Sequence, residues 1–184
     1  MNSEVDGEKL GVKKRIMFNK NDDYNFLAYN VLVFLYTINC VEEKKRLQDH
    51  NKLAYIVPLI SEYNLLDIIS KYNTMDIFPN FDEAEILRNV YIKSRLRTRW
   101  ISSILFALER KGIVNLIKNP TRNCIDVWIN QGKMPNALLE EELFGYEINN
   151  TLKFKKLYPH IKTLGLETFL QKVFGEKGVV IWEG

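Results

Sequence analysis

The sequence predicts a mainly α-helical protein with one small β-hairpin, and three observations lead to this fold class. Hydrophobic residues make up 46% of the 184 residues and aromatic residues 12%, which is typical of a chain that folds around a core. Apolar residues recur at helical spacing over most of the chain. Two short runs rich in β-branched residues, I-V-N-L-I and C-I-D-V-W-I-N, flank a polar turn that contains proline.

The N-terminal part divides into an arm and a helical region. Residues 1–23 mix charges with Asn and Gly and contain few large apolar side chains, so we expect a flexible or partner-dependent arm. Residues 24–41 carry no charge and are apolar on nearly every helical face. A membrane span needs about 20 predominantly apolar residues, and this stretch is shorter and contains three Asn. We expect a helix buried in its own domain or in a subunit contact that includes Phe34.

The helical region is predicted to extend over residues 24–81. Residues 42–51 are highly charged and predict a solvated turn or helix end. Residues 52–72 predict one helix that is broken or bent near Pro58 or Asn64, because proline removes a helical hydrogen bond. Residues 73–81 predict a loop.

Residues 82–132 are predicted to form the core that contains the hairpin. Asp82 should cap a helix that reaches Ile92. A separate helix is expected from Arg95 to Lys111, and Gly112 stands where a helix that ends in the left-handed conformation needs a residue without Cβ. The apolar stripe of this second helix is Ile101, Ile104, Leu105 and Leu108. The predicted strands are Ile113–Ile117 and Cys124–Ile129.

The last part, residues 133–184, is predicted to contain three short helices and a terminal strand. The helices are expected at 137–144, 148–158 and 164–174, with Pro159 and Gly165 marking interruptions. Residues 178–182 are too apolar to be left in solvent. They predict an edge strand or a segment that binds a partner through Val180 and Trp182.

The charge of the chain is unevenly distributed. The net charge is only +3, but residues 88–122 contain nine basic residues and one acidic residue, Glu109. This asymmetry indicates an anionic partner for the region around the hairpin. The cysteines, Cys40 and Cys124, form no C-x-x-C motif and no secretory signal opens the chain, so we expect a cytoplasmic protein.

Residue patterns for catalysis are missing from the sequence. His50 and His160 have no metal-ligand neighbours at helical or loop spacing, and no phosphate-binding glycine motif or nucleophile elbow occurs. Cys124 with His160 could act as a nucleophile and base, but a cysteine inside a hairpin strand is more often a small buried hydrophobe. We therefore expect no catalytic residue, no metal site and no cofactor.

A metal-dependent nuclease is a third possible function, in addition to two binding functions. Glu42 and Lys44 form an E-x-K pattern, and Asp22 and Asp23 precede it. That chemistry needs carboxylates and lysine that converge on a metal from a strand scaffold, whereas these residues lie in a predicted connector.

The outward face of the helix that precedes Gly112 is mixed in character. At 100° per residue, Arg99, Ser103, Phe106 and Arg110 lie opposite the apolar stripe. Arginine and serine suit phosphates or base edges, whereas Phe106 suits a protein groove, and it could instead be covered by another helix of this chain. The candidate DNA-binding residues are Arg95, Arg97, Arg99, Ser103, Arg110, Lys118 and Arg122, and the candidate partner-binding residues are Phe34, Phe106, Val180 and Trp182.

A helix of the pattern S-x-x-L-x-x-L-E-x-K-G-I followed by a hairpin resembles the third helix and wing of a winged-helix domain, here with additional N- and C-terminal helices. Together with Y-N-V-L-V-F-L-Y and K-L-A-Y-I-V-P-L-I, it resembles the small middle component of three-component ABC/SMC-type bacterial systems, a group that includes the Lamassu antiphage accessory subunit. The resemblance implies a non-catalytic bridge between an SMC-like ATPase, DNA and an effector subunit. It carries no residue-level site.

Two functions therefore remain open at this point. The first is the accessory subunit of an SMC-like complex in antiphage or plasmid defence. The second is a free-standing winged-helix transcriptional regulator, which would form a homodimer on DNA with a fixed half-site spacing. No membrane contact is expected in either case.

Overall fold

A computed structural model describes residues 24–74, 77–134 and 141–182, and these form a mainly helical fold with a two-stranded antiparallel sheet. The predicted arm at 1–23 and part of the predicted helix at 137–144 lie outside the described residues. The helices are α1 (Tyr24–Thr37), α2 (Lys52–Ser61), α3 (Leu65–Thr74), α4 (Phe81–Arg110), α5 (Glu141–Leu157) and α6 (Leu166–Val173), and the strands are β1 (Val114–Lys118) and β2 (Ile125–Ile129).

Helix α1 lies in the centre of the fold, against α2, α4 and α5. Its side chains are apolar on most faces, and Asn30 is tolerated inside because its side-chain amide donates to the carbonyl of Phe26 at 2.9 Å. Phe34 is fully buried among residues of this chain. The prediction that Phe34 contacts a partner is therefore wrong, because the chain covers this side chain itself.

No single helix in the described ranges is long and apolar enough to cross a bilayer. Helices α2 and α3 reach the required length and composition only when taken together, and they are bent by 104° at the break between them.

The bend predicted near Pro58 or Asn64 occurs at Asn64. Pro58 lies inside α2, which continues for three residues after it. Asn64 adopts a left-handed conformation with φ of 63°, which Asn tolerates better than most residues. Pro58 removes one backbone hydrogen bond of α2 without ending the helix.

Helix α4 is one continuous element of 30 residues, so the prediction of separate helices at 82–92 and 95–111 is wrong at the junction. No glycine or proline stands between Ile92 and Arg95, and buried side chains continue along one face from Leu87 to Leu108. The N-cap is Asn80, whose side chain accepts a hydrogen bond from the Glu83 N–H at 2.9 Å, rather than Asp82.

The end of α4 and the hairpin agree with the prediction. Lys111 is the C-cap, and Gly112 follows with φ of 68°, the conformation for which glycine was predicted. Strands β1 and β2 pair from Val114 with Ile129 to Lys118 with Ile125.

The charged stretch before α2 agrees with the predicted solvated turn only at residues 42–45, which are exposed, whereas the residues that follow Arg46 pair with the hairpin. Leu47 forms an antiparallel bridge with Val127, and the N–H of each donates to the carbonyl of the other, at 2.9 and 3.0 Å. Leu47, Asp49 and His50 are buried. The prediction is wrong for Leu47, Asp49 and His50 because the backbone around Leu47 covers the outer edge of β2, a contact between residues far apart in the sequence.

The break predicted between the helices at 137–144 and 148–158 is present as a kink. Helical φ and ψ are interrupted at Phe144, where φ is −126° and ψ is 16°, so two helical segments meet within α5. Helix α6 agrees with the third prediction. Residues 178–182 form no strand, so the prediction of an edge strand is wrong, and this segment instead lies against α4.

Candidate nucleic-acid and partner interface

The outward face of α4 has the composition that the sequence predicted. Arg99, Ser103 and Arg110 are exposed, while the stripe on the opposite side is buried. Phe106 lies between them and is 48% exposed. The expectation that another helix of this chain could cover Phe106 is thus not met by the described residues.

A shallow groove of about 480 Å³ lies between the end of α4 and the hairpin. Phe106 and Glu109 form its helical side, and Lys118 stands on the opposite side. The remaining lining residues are His50, Leu116, Ile117, Asn123, Cys124 and Ile125. The predicted DNA-binding residue Lys118 and the predicted partner-binding residue Phe106 therefore share one groove.

The predicted DNA-binding residue Arg95 contacts the predicted partner-binding residue Trp182. The Arg95 guanidinium donates to the Trp182 carbonyl at 3.0 Å and lies 5.8 Å from the centre of its ring. The backbone N–H of Trp182 donates to the Tyr91 hydroxyl at 3.1 Å. Trp182 is still 53% exposed and Val180 is 65% exposed, so the segment presents apolar surface while it occupies Arg95.

The two other basic candidates differ in their surroundings. Arg97 is only half-exposed. Arg122 is exposed at the hairpin turn, and its guanidinium lies against Gly165, where an added Cβ would be 3.6 Å from the guanidinium carbon. Arg99, Arg110 and Lys118 are therefore the candidates whose side chains are most available to a ligand.

Asp126 anchors the hairpin, and no sequence pattern had singled it out. Its carboxylate is fully buried and accepts hydrogen bonds from the Arg46 guanidinium at 2.8 Å, the Asp49 N–H at 3.0 Å and the Asn119 side chain at 2.9 and 3.0 Å. Burial by itself raises the pKa of Asp126, but the hydrogen bonds from Arg46 and Asn119 outweigh it and hold the pKa below the usual value.

Asn119 also shapes the turn that presents Lys118 and Arg122. Its side-chain oxygen accepts hydrogen bonds from the Thr121 and Arg122 N–H groups, both at 3.0 Å. This is a local Asx-type turn, and Asn followed by Pro is a sequence signal for it. The signal could have identified Asn119 in advance.

The cysteine and histidine that meet at the groove are not the pair considered from the sequence. Cys124 and His50 both line the groove, whereas His160 is exposed elsewhere. Burial raises the pKa of the Cys124 thiol to about 11, so the thiol stays protonated near neutral pH. Burial also lowers the pKa of His50, whose Nε2 is 3.0 Å from the Ser102 hydroxyl.

Of the residues considered for a metal-dependent nuclease, the structure describes Glu42 and Lys44, and both are exposed. Glu42 forms an exposed salt bridge with Lys45 at 2.9 Å, and Asp22 and Asp23 lie outside the described residues. Within the described ranges no group of three or more His, Cys, Asp or Glu residues is arranged to hold a metal ion.

Comparison with known proteins adds no relationship. No family model matches the chain, and neither a curated protein nor a solved structure matches it.

Proposed function

We propose that this protein is a non-catalytic, cytoplasmic binding subunit that contacts DNA phosphates with the C-terminal half of α4 and the hairpin. The observation that carries the proposal is the set of exposed cations Arg99, Arg110 and Lys118. None of their side chains forms a salt bridge within the described part of the chain. Cations without a protein counter-ion, gathered on one face, are typical of a phosphate-binding surface.

The order of the elements supports a winged-helix interpretation of this surface. In winged-helix domains a short strand between the first two helices pairs with the second hairpin strand, and the helix before the hairpin carries the recognition face. Here the bridge at Leu47 lies between α1 and α2 and pairs with β2, and α4 leads directly into β1. The chain departs from that pattern by its additional helix α3 and by the length of α4.

Exposed apolar side chains support a function inside a complex. Phe106, Val180 and Trp182 are each about half exposed or more, and surface of this kind commonly marks a protein contact. We propose that the partners are an SMC-like ATPase and an effector subunit of a defence complex, as the sequence resemblance implies. The alternative function is a free-standing transcriptional regulator.

Salt-dependent DNA binding tests the phosphate contacts. We expect Arg110→Ala with Lys118→Ala to weaken binding to a duplex and to flatten the slope of log affinity against log salt by about 1.8, because each phosphate contact contributes about 0.9. Lys155→Ala with Lys156→Ala is the matched control. It removes two exposed charges from α5, which packs on α1 and α2 on another side of the molecule.

Two results would count against the proposal. An unchanged salt slope in the Arg110 and Lys118 variant would show that this face does not touch DNA. Equal losses in the control variant would show that only net charge matters. Purification as a stable homodimer that binds one palindrome without other subunits would favour the transcriptional regulator.

A further inference from the structure

A second surface of α4 follows a regular spacing that the DNA-binding proposal does not use. Every exposed position along this line is three or four residues from the next, over about 32 Å of helix. We call this line the α4 seam, and its members are Ile86, Asn89, Lys93, Leu96, Trp100, Ser103 and Ala107. Alternating steps of three and four residues are the spacing at which a helix contacts a second helix.

The centre of the seam is apolar and open to solvent. Leu96 is 75% exposed, Ile86 is 42% exposed and Trp100 is 38% exposed. The opposite side of α4 is buried against α1 and α2. The seam is therefore a helical surface that the described fold leaves uncovered, and its centre carries Trp100, a residue type that often dominates contacts between proteins.

Charge decides what kind of helix fits. Three exposed charged residues lie in or beside the central part of the seam, and all three are basic: Lys93 belongs to the seam, and Arg88 and Arg99 flank it. Acidic residues are found only at the two ends of the helix, at Asp82, Glu83, Glu85 and Glu109. Charges that flank a helix–helix contact select the partner, so an acidic helix complements this one.

A second copy of this chain fits the same surface less well. In an antiparallel pair centred on Thr98, Leu96 would meet Trp100 of the other copy, but the two Arg99 residues would face each other. In a parallel pair the two Lys93 residues would face each other. Like charges at these positions are unfavourable, whereas an acidic helix would neutralise them.

We propose that the α4 seam binds an acidic amphipathic α-helix of a partner protein, with Leu96 and Trp100 at the centre of the contact. This goes beyond the proposed DNA contact, which uses Arg99, Arg110 and Lys118; of these three residues, Arg99 also lies beside the seam.

A synthetic peptide tests the seam directly. The probe is a labelled helix of about four heptads with Leu at the two core positions and Glu at the flanking positions. Its binding to the full chain is followed by fluorescence anisotropy. We expect it to bind at least about tenfold more tightly than a scrambled peptide of the same composition, or than one with Lys in place of Glu.

In a chain with Trp128→Phe and Trp182→Phe, binding should also shift the emission of Trp100 to shorter wavelength, because the indole leaves water.

Neutral variants keep the test independent of charge. Leu96→Gln should weaken peptide binding by at least about tenfold, and the double variant Leu96→Gln with Trp100→Gln should weaken it further. Leu152→Gln is the matched control because Leu152 is 43% exposed on α5, and it should bind the peptide as the unchanged chain does. Duplex binding should be the same in Leu96→Gln and in the unchanged chain. A failure of the DNA contact thus remains distinguishable from a failure of the seam.

Several results would overturn the proposal. Equal affinity for the scrambled peptide would show that charge alone attracts it, and equal affinity for the Lys peptide would remove the charge argument. A dimer that Leu96→Gln converts to monomers would make a second copy the occupant. Loss of duplex binding in Leu96→Gln, together with displacement of the peptide by duplex, would assign the seam to DNA.

Discussion

Arg46 and Asp126 form a salt bridge of 2.8 Å that fastens the hairpin to the segment before α2, across 80 positions of sequence. The carboxylate is fully buried, whereas the arginine side chain keeps 25% of its exposure. The hairpin that carries Lys118 is therefore held to the segment before α2 by this charge pair. A buried carboxylate of this kind depends on its partner, because an unpaired charge inside a protein is strongly unfavourable.

We expect Arg46→Ala to lower the free energy of unfolding by about 2–3 kcal/mol. Removing one partner of a fully buried pair costs about 3–5 kcal/mol, and the loss is smaller here because Arg46 is partly solvated. The loss can be measured by urea denaturation. Lys45→Ala is the control, since it breaks an exposed salt bridge to Glu42 and should cost less than about 1 kcal/mol. Equal losses in the two variants would contradict the importance of the buried pair.

His50 should make the protein less stable as the pH falls from 7 to 5. Burial lowers its pKa below the ordinary value of 6.5, against the opposing effect of Asp49, so below pH 6.5 the unfolded chain binds a proton that the folded chain does not. For each unit by which the pH falls in this range, His50 then lowers the free energy of unfolding by up to about 1.4 kcal/mol. In His50→Gln this part of the pH dependence should disappear.

The exposed histidine provides the control for that measurement. His160→Gln should keep the pH dependence of the unchanged chain in denaturation curves recorded at each pH. Parallel stability profiles for His50→Gln and the unchanged chain would show that His50 does not titrate differently on folding.

Lys52 should stabilise the turn that precedes α6. Its side chain is fully buried, and its Nζ donates to the carbonyls of Ile161 at 2.6 Å and Leu164 at 2.7 Å. Lys52→Met keeps the apolar stem but leaves both carbonyls without this donor, so we expect a loss of about 1–3 kcal/mol. Faster hydrogen exchange in residues 158–165 would locate the effect, and unchanged exchange there would contradict it.

The same lysine predicts a dependence on alkaline pH. Burial lowers the pKa of Lys52 to about 8 from 10.5, so between these values the unfolded chain carries the additional proton. Stability should therefore rise with pH across this window in the unchanged chain relative to Lys52→Met. A constant difference between the two, measured by denaturation at pH 7.5, 8.5 and 9.5, would contradict the lowered pKa.

Gly112 should tolerate substitution poorly because of its positive φ. Gly112→Val must hold a β-branched residue at φ of 68°, which costs on the order of 1–2 kcal/mol, and its Cβ would also come within 2.9 Å of the flexible end of Lys133. Gly145→Ala is the control, because nothing lies within 4 Å of its added Cβ and alanine favours a helix. An unchanged melting temperature in Gly112→Val would contradict the strain.

Local signals in the sequence were sufficient for several elements. The end of α4 at Gly112 and the two strands of the hairpin each depend on the conformational preference of one or two residues and of their neighbours. The bend between α2 and α3 was predicted near Pro58 or Asn64, and the structure decided for Asn64. The buried stripe of α4 follows from the spacing of apolar residues. The exposed face that carries Arg99, Phe106 and Arg110 follows from the same periodicity, because whatever lies opposite a buried stripe is exposed unless another element covers it.

The tertiary structure alone decided where elements distant in the sequence meet. The charged stretch around Leu47 became a partner of β2 because the edge of that strand needed backbone hydrogen bonds, and composition does not report such a need. Asp126 and Lys52 are buried because Arg46 and two carbonyls satisfy them from positions 80 or more residues away. Phe34 lies in the core, whereas Leu96 is in solvent, although both are large and apolar. Hydrophobicity favours burial for either residue, and only the packing of the other helices determines which one is covered.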